Sequence, residues 1–269
     1  MRRRDTVGGR VAAAAIPHPG VKLLDARFVT SAADASAIPA DGIPHIAFVG
    51  RSNVGKSSVI NALAGATLAR TSAAPGKTRL ANLYRFTVEG GPGGPGRWSV
   101  YLADLPGYGY ARGGEQSVAE LRQIAESYFS AASAPRAGRA AEETRDRDSV
   151  ARKPGSPDAG ERRTAEAGRL ARNAGSPNLP YRIAGVLLLA DSRHPGLELD
   201  IEAAEWLSSL AIERAVVATK IDKLSRAERA KNLKALENTL GSAALPVSAV
   251  SGEGLDDLWR LIAGLSRRP

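Results

Sequence analysis

The sequence predicts an α/β fold: a mostly parallel, six-stranded sheet with one antiparallel edge and helices on both faces. Three observations lead there. Short runs rich in Val, Ile and Leu alternate with longer helix-patterned segments, the sign of βαβ units. A loop framed by Gly50 and Gly55 stands between the first of these apolar runs and the helix that follows it. Two strand-like segments, 81–89 and 98–103, are joined by the glycine-rich run 90–96, which reads as a hairpin with a flexible tip.

Residues 45–49 form the strand that enters the glycine loop, and 58–64 the helix that leaves it. The hairpin follows, and 117–132 reads as a helix. Residues 183–190 and 215–219 are unbroken apolar runs of strand length, as expected of strands buried on both faces. Between them 198–210 is a helix; after them come a helix of mixed charge at 225–240, a short strand at 245–247 and an amphipathic helix at 255–265.

One domain spans 21–266, with two segments set apart from it. Residues 1–20 form a disordered basic tail: Met1-Arg2-Arg3-Arg4 and the run 11–16 imitate a signal peptide, but the run is short, mostly alanine, and ends in Pro17-His18-Pro19. Residues 135–180 have almost no large apolar side chain and cannot bury enough surface to offset their ordering entropy, so they read as a disordered charged insertion. A charged helical hairpin built from 141–147 and 162–172 is the competing reading.

Composition narrows the function. With no cysteine, disulfides and thiolate metal sites are excluded. No stretch reaches the roughly 20 apolar residues of a membrane span, so a soluble, cytoplasmic protein without a membrane partner is expected. A net charge of +9 points to a polyanionic partner, RNA or a nucleotide, or reflects only the abundance of arginine. The three histidines and three tryptophans read as tail or packing residues rather than ligands.

Motifs decide between these. Gly50-Arg51-Ser52-Asn53-Val54-Gly55-Lys56-Ser57 matches the phosphate-binding pattern G-x-x-x-x-G-K-[ST] in the strand-to-helix setting that pattern needs. Its glycines let the backbone N–H groups face the phosphates, Lys56 brings a point charge to the β- and γ-phosphates, and Ser57 offers a hydroxyl to Mg²⁺. The strand 98–103 runs into Asp104-Leu105-Pro106-Gly107, placing a carboxylate where it reaches Mg²⁺ through a water and the Gly107 amide where it meets a γ-phosphate; residues 108–114 then read as a switch ordered by the triphosphate. Pro75-Gly76-Lys77-Thr78 lies in a polar stretch able to fold over the nucleotide, with Thr78, Thr71 and Ser72 as rival Mg²⁺ ligands.

The strand 215–219 ends in Thr219-Lys220-Ile221-Asp222. A carboxylate at Asp222 accepts from the N1–H and 2-amino groups of guanine, donors that adenine lacks there, and leaving it buried and unpaired costs about 1 to 3 kcal/mol. Lys220 lays its stem along the base. After the last strand, Val247-Ser248-Ala249 presents the Ala249 amide to guanine O6. Phosphate loop, D-x-x-G, T-K-x-D and S-A in that order make this a P-loop NTPase of the Ras-like type, a G domain binding GTP and GDP.

GRSNVGKSS at 50–58, PGKT at 75–78, DLPGYGYA at 104–111, DSRH at 191–194 and TKIDK at 219–223 together resemble the EngB family of bacterial ribosome-biogenesis GTPases. The resemblance covers 22–134 and 181–265. It implies GTP and Mg²⁺ binding, action in late assembly of the large ribosomal subunit with contact to its rRNA, and a need in cell division and septation. Carried over, the metal ligands are Ser57 and Thr78, and the nucleotide contacts are Gly50 to Ser57, Gly76, Lys77, Thr78, Arg79, Leu80, Asp104 to Gly107, Thr219 to Asp222, and Val247 to Ala249. The insertion and the long hairpin tip depart from the family pattern.

Tyr108 follows Gly107 where Ras-like enzymes carry a water-positioning glutamine, so intrinsic GTPase activity should be slow. Lys56, Thr78 and Asn53 are the catalytic candidates, Asn53 either by holding K⁺ in place of an arginine finger or merely by bracing the loop. The alternative function is a GTP-gated rRNA-binding module with little catalytic role. A small-molecule kinase is disfavoured, because T-K-x-D would go unexplained. A monomer is expected.

Overall fold

The computed structural model describes residues 20–32, 35–69, 81–91, 94–108, 126, 128, 129, 181–210 and 212–267. The expected tail apart from Gly20, the expected insertion and the segment from Gly76 to Leu80 lie outside the described residues.

The strands are β1 (Val21–Ala32), β2 (Pro44–Gly50), β3 (Ala81–Gly90), β4 (Arg97–Asp104), β5 (Arg182–Asp191), β6 (Arg214–Thr219) and β7 (Ala244–Pro246). The helices are α1 (Lys56–Ala64), α2 (Glu198–Ser209), α3 (Arg226–Leu240) and α4 (Leu255–Ser266). One sheet has the order β1-β3-β4-β2-β5-β6-β7. β2 is parallel to β4 and β5, and β6 to β5 and β7, while β3 pairs antiparallel with both β4 and β1. The sheet is therefore mostly parallel with antiparallel pairing at one edge, as expected.

It has seven strands rather than six. The unexpected one, β1, hides its pattern: register shifts between Leu23 and Asp25 and between Phe28 and Thr30 interrupt the two-residue alternation. Buried side chains consequently fall at Val21, Leu23, Ala26 and Ala32, a spacing that no single period of two describes. The ends of the hairpin tip are tied down, while Pro92 and Gly93 within it lie outside the described residues. Gly90 donates its N–H to the Gly96 carbonyl at 3.1 Å, and its own carbonyl accepts from Trp98 Nε1 at 2.9 Å and from the Arg267 guanidinium at 3.0 Å. The same guanidinium stacks 5.2 Å from the Trp98 ring centroid.

Alternation along the parallel strands divides the core in two, since successive side chains point to opposite faces. Ile46, Phe48, Leu187, Leu189 and Val217 pack with Ile60, Leu63, Leu258 and Trp259 from α1 and α4. Ala47, Val49, Leu188, Ala190 and Val216 pack with Trp206 and Leu207 of α2, Leu236 and Leu240 of α3, and Tyr128 and Phe129. Residues 126, 128 and 129 are helical, in line with the helix expected at 117–132, whose remaining residues lie outside the described ones.

His45 is a packing residue. It is fully buried on β2, with Nδ1 2.8 Å from the Tyr128 hydroxyl and its ring 4.8 Å from that of Tyr181. Burial pushes its pKa down to about 3, against smaller opposing contributions from Asp41 and the Pro39 backbone.

The candidate nucleotide site

The C-terminal ends of β2, β4, β5 and β6 lie at one edge of the sheet, the position where parallel α/β sheets bind ligands. They end in Gly50, Asp104, Asp191 and Thr219. A side chain at Gly50 would put its Cβ 2.7 Å from the Leu189 carbonyl oxygen, so β5 leaves room there only for glycine. The loop then turns through Asn53 at φ 62 and Gly55 at φ 108, and α1 begins at once with Lys56. Two left-handed residues in three curl the backbone over the start of α1, whose unpaired N–H groups make that end a seat for anions.

Lys56 is buried and donates from Nζ to the carbonyls of Gly50 at 2.9 Å and Arg51 at 3.3 Å. Burial lowers its pKa, and the nearby Asp104 carboxylate opposes that fall. Ser57 donates its hydroxyl to Asp104 Oδ2 at 2.9 Å. Burial raises the Asp104 pKa, with Lys56 and Ser57 acting to lower it. A hydroxyl and a carboxylate converging beside an ammonium suit a hard, oxygen-seeking cation that takes its other ligands from phosphate and water. Among the described residues no cluster of three or more His, Cys, Asp or Glu forms a self-sufficient metal cage.

The D-x-x-G segment closes over this cradle. The Leu105 N–H donates to the Phe48 carbonyl at 3.2 Å, carrying Pro106 and Gly107 across the loop. A Cβ on Gly107 would stand 2.8 Å from Ser52 N and 2.9 Å from Lys56 Nζ, so a side chain there would displace both. Ser52 donates its N–H to the Tyr108 carbonyl at 2.8 Å and its hydroxyl to the Gly107 carbonyl at 3.3 Å. The Tyr108 ring turns away into the protein, where its hydroxyl donates to Asp200 Oδ1 at 2.9 Å. Asp200, on α2 and 1% exposed, also accepts from Arg51 Nε at 3.1 Å. Burial raises the pKa of both Asp200 and Tyr108, Arg51 opposing the shift in each case.

At the other end, Thr219 shares its one hydroxyl proton between the Val54 carbonyl at 2.7 Å and the Ala190 carbonyl at 3.1 Å. Thr219 thus bonds directly to the phosphate loop. Lys220, at φ 61, donates to the Asn53 carbonyl and to Asp191 Oδ2 at 2.9 Å. Asp191 also takes Arg193 in a fork, Nε on Oδ1 at 3.0 Å and Nη2 on Oδ2 at 2.8 Å. Burial works against ionisation of Asp191, but these two cations hold its pKa well below the usual carboxylate range.

Ile221 is buried beneath this turn, and Asp222 Oδ1 accepts the Ser248 hydroxyl at 2.8 Å. Burial disfavours the Asp222 carboxylate, and the bonds from Ser248 and Lys223 more than compensate, lowering its pKa. Ser248 in turn accepts from the N–H groups of Val250 and Ser251, and Val247 donates to the Ala218 carbonyl at 2.8 Å. Val247, Ser248 and Ala249 therefore stand beside Asp222.

The structure brings together Gly50 to Ser57, Asp104 to Gly107, Thr219 to Asp222 and Val247 to Ala249. Gly76, Lys77, Thr78, Arg79 and Leu80, with the rivals Thr71 and Ser72, lie outside the described residues. Asp191 and Arg193 appear in the sequence reading only within the DSRH motif, without a role, and Asp200 does not appear in it at all. Asp191 carried a usable signal, a carboxylate at the end of an apolar strand like Asp104. Asp200 carried none, since its partner Arg51 is 149 positions away.

The profile of a family described as "50S ribosome-binding GTPase" matches residues 45–148. A probable GTP-binding protein EngB of Pelotomaculum thermopropionicum is 35% identical, with 92% of this chain and 100% of that protein covered. Its counterpart in Heliobacterium modesticaldum is 33% identical, over 90% of this chain and 92% of that one. A solved structure of a probable GTP-binding protein engB is 17% identical, over 83% of this chain and 98% of that one, at a TM-score of 0.46. Identity of about a third, sustained over nine-tenths of both sequences, assigns the family: the chain is a P-loop GTPase and belongs to the EngB family.

Proposed function

We propose that this GTPase binds GTP and GDP with Mg²⁺, hydrolyses GTP slowly, and uses the nucleotide state to act in assembly of the large ribosomal subunit. The observation that supports nucleotide selection best is the bond from Lys220 to the Asn53 carbonyl, which joins the turn carrying Asp222 to the phosphate loop. Asp222, aimed by Ser248, would read the guanine edge, with the Ala249 amide on O6. Lys56 and the loop N–H groups would hold the phosphates, and Ser57 and Thr78 would ligate Mg²⁺, with Asp104 accepting from a coordinated water. Bound there, the ion would neutralise charge on the β- and γ-phosphate oxygens.

Hydrolysis should be slow because Tyr108 fills the position of a water-orienting side chain and is tied to Asp200 instead. Asn53 is exposed, and its side chain makes no hydrogen bond among the described residues, which favours a role in holding K⁺ over one in bracing the loop.

The ribosomal part of the reading rests on the family description and on the net charge of +9. It extends, by family resemblance, to rRNA contact, to a monomer working in the cytoplasm, and to a need in cell division and septation. No helix among the described residues is long and apolar enough to cross a membrane. Co-sedimentation with isolated large subunits tests it: binding should require a GTP analogue and fall steeply as salt rises. Binding that ignores both nucleotide and salt would contradict the proposal. Normal subunit docking by a variant unable to hydrolyse GTP would favour the gated rRNA-binding module.

A further inference from the structure

Asp200 makes contacts that the nucleotide reading does not use. Its carboxylate is 1% exposed and sits on α2, yet both of its bonds from other elements reach the phosphate end of the site. One oxygen accepts the Tyr108 hydroxyl at 2.9 Å, and Arg51 Nε reaches both oxygens, at 3.1 and 3.2 Å. Tyr108 is itself 2% exposed, so its ring cannot leave without breaking a bond to a buried charge. Arg51 and Tyr108 also pair through their backbones as an isolated bridge. Asp200 thereby grips both chains of that bridge from the side-chain direction.

This grip affects phosphate binding. Ser52 belongs to the loop whose N–H groups cradle phosphate, but its N–H is taken by the Tyr108 carbonyl at 2.8 Å. Gly107 lies so close to the Lys56 ammonium that even a Cβ would approach within 2.9 Å of Nζ. The helix end and inner loop that seat the first two phosphates are untouched by this contact. A third phosphate would extend from Lys56 toward Gly107 and Ser52, where the latched segment lies.

We propose that Asp200 sets the preference between diphosphate and triphosphate, by latching Tyr108 so that its carbonyl competes with the terminal phosphate for the Ser52 N–H, beside Lys56. The inference rests on the GTPase reading above and adds to it a residue that biases the switch toward the GDP state. Arg51 is part of the same latch and is neutralised by it.

The test is equilibrium titration of the full chain with a fluorescent GDP and with a non-hydrolysable GTP analogue, in wild type and in Tyr108→Phe. That substitution removes one hydroxyl and leaves the Arg51–Asp200 pair in place. A bond to a charged acceptor predicts a rise of about tenfold in the ratio of analogue affinity to GDP affinity, with GDP changing less than about twofold. Asp200→Asn is the second variant and should shift the ratio in the same direction. An unchanged ratio in both variants, or equal losses for both nucleotides, would overturn the latch while leaving the GTPase reading intact. Failure of the wild type to bind either guanine nucleotide would instead overturn the reading and the latch with it.

Discussion

Lys220 donates to the backbone carbonyl of Asn53 at 2.6 Å, although 167 positions separate the two residues. Asp191, buried at the end of β5, accepts the same ammonium at 2.9 Å and fixes where it points. The base-reading turn and the phosphate loop are consequently joined directly through one side chain rather than merely near each other.

Asp222→Asn should weaken GDP binding by about one to two orders of magnitude, since guanine then meets an amide in place of a charged double acceptor. Xanthosine diphosphate should gain, because its 2-oxo group can accept from the new amide. Competition titrations with both nucleotides measure the exchange. Unaltered guanine preference would remove Asp222 from base recognition.

Gly254→Ala should destabilise the protein and loosen the base pocket together. Gly254 has φ 78, and a Cβ there would fall on the Pro246 carbonyl oxygen. Relief requires moving Val247 and Ser248, the support of Asp222. A loss of about 2 kcal/mol or more in urea unfolding is expected, with weaker GDP binding in the fraction that remains folded. Gly241→Ala makes a useful contrast, because its φ of 71 is strained but nothing lies within 4 Å of its Cβ, so stability should fall without a change in GDP affinity.

Stability should fall on mild acidification because of His45. Its pKa is about 3 in the folded chain against an ordinary 6.5, so the unfolded chain takes up the proton first as the pH drops. The contribution is complete above pH 6.5 and is lost between there and about 3, at up to about 1.4 kcal/mol per pH unit. Urea unfolding at about pH 7.5 and 5.5 should show a loss of about 1 kcal/mol beyond that of His45→Gln. Equal pH dependence in the two proteins would assign the effect elsewhere.

GTP turnover should be faster in K⁺ than in Na⁺ at equal ionic strength, and Asn53→Gly, which keeps the φ of 62 accessible, should abolish the difference while leaving GDP affinity within about threefold. Equal rates in the two salts would remove the cation role.

Much of the site is legible in the sequence because its chemistry is written in contiguous residues. Gly50 to Ser57 follow an unbroken apolar strand, and Thr219 to Asp222 end another, so strand, loop and ligand are read together. β1 is not legible in the same way, since two register shifts move its buried residues off the alternation by which strands are recognised. The anchoring of the hairpin tip is missed for a different reason: Arg267, which holds the Gly90 carbonyl, lies 177 positions away. Asp200 is the sharpest case. On α2 it reads as one polar residue at the start of a helix, and only the fold brings its carboxylate to Arg51 and Tyr108.

Isothermal titration of the nucleotide-free chain with GDP, GTP, ADP and ATP in Mg²⁺ separates guanine from adenine recognition in one experiment. The geometry of Asp222, held by Ser248 and joined to the phosphate loop through Lys220, predicts adenine nucleotides at least about a hundredfold weaker than their guanine counterparts. Equal affinity for ATP and GTP would contradict it.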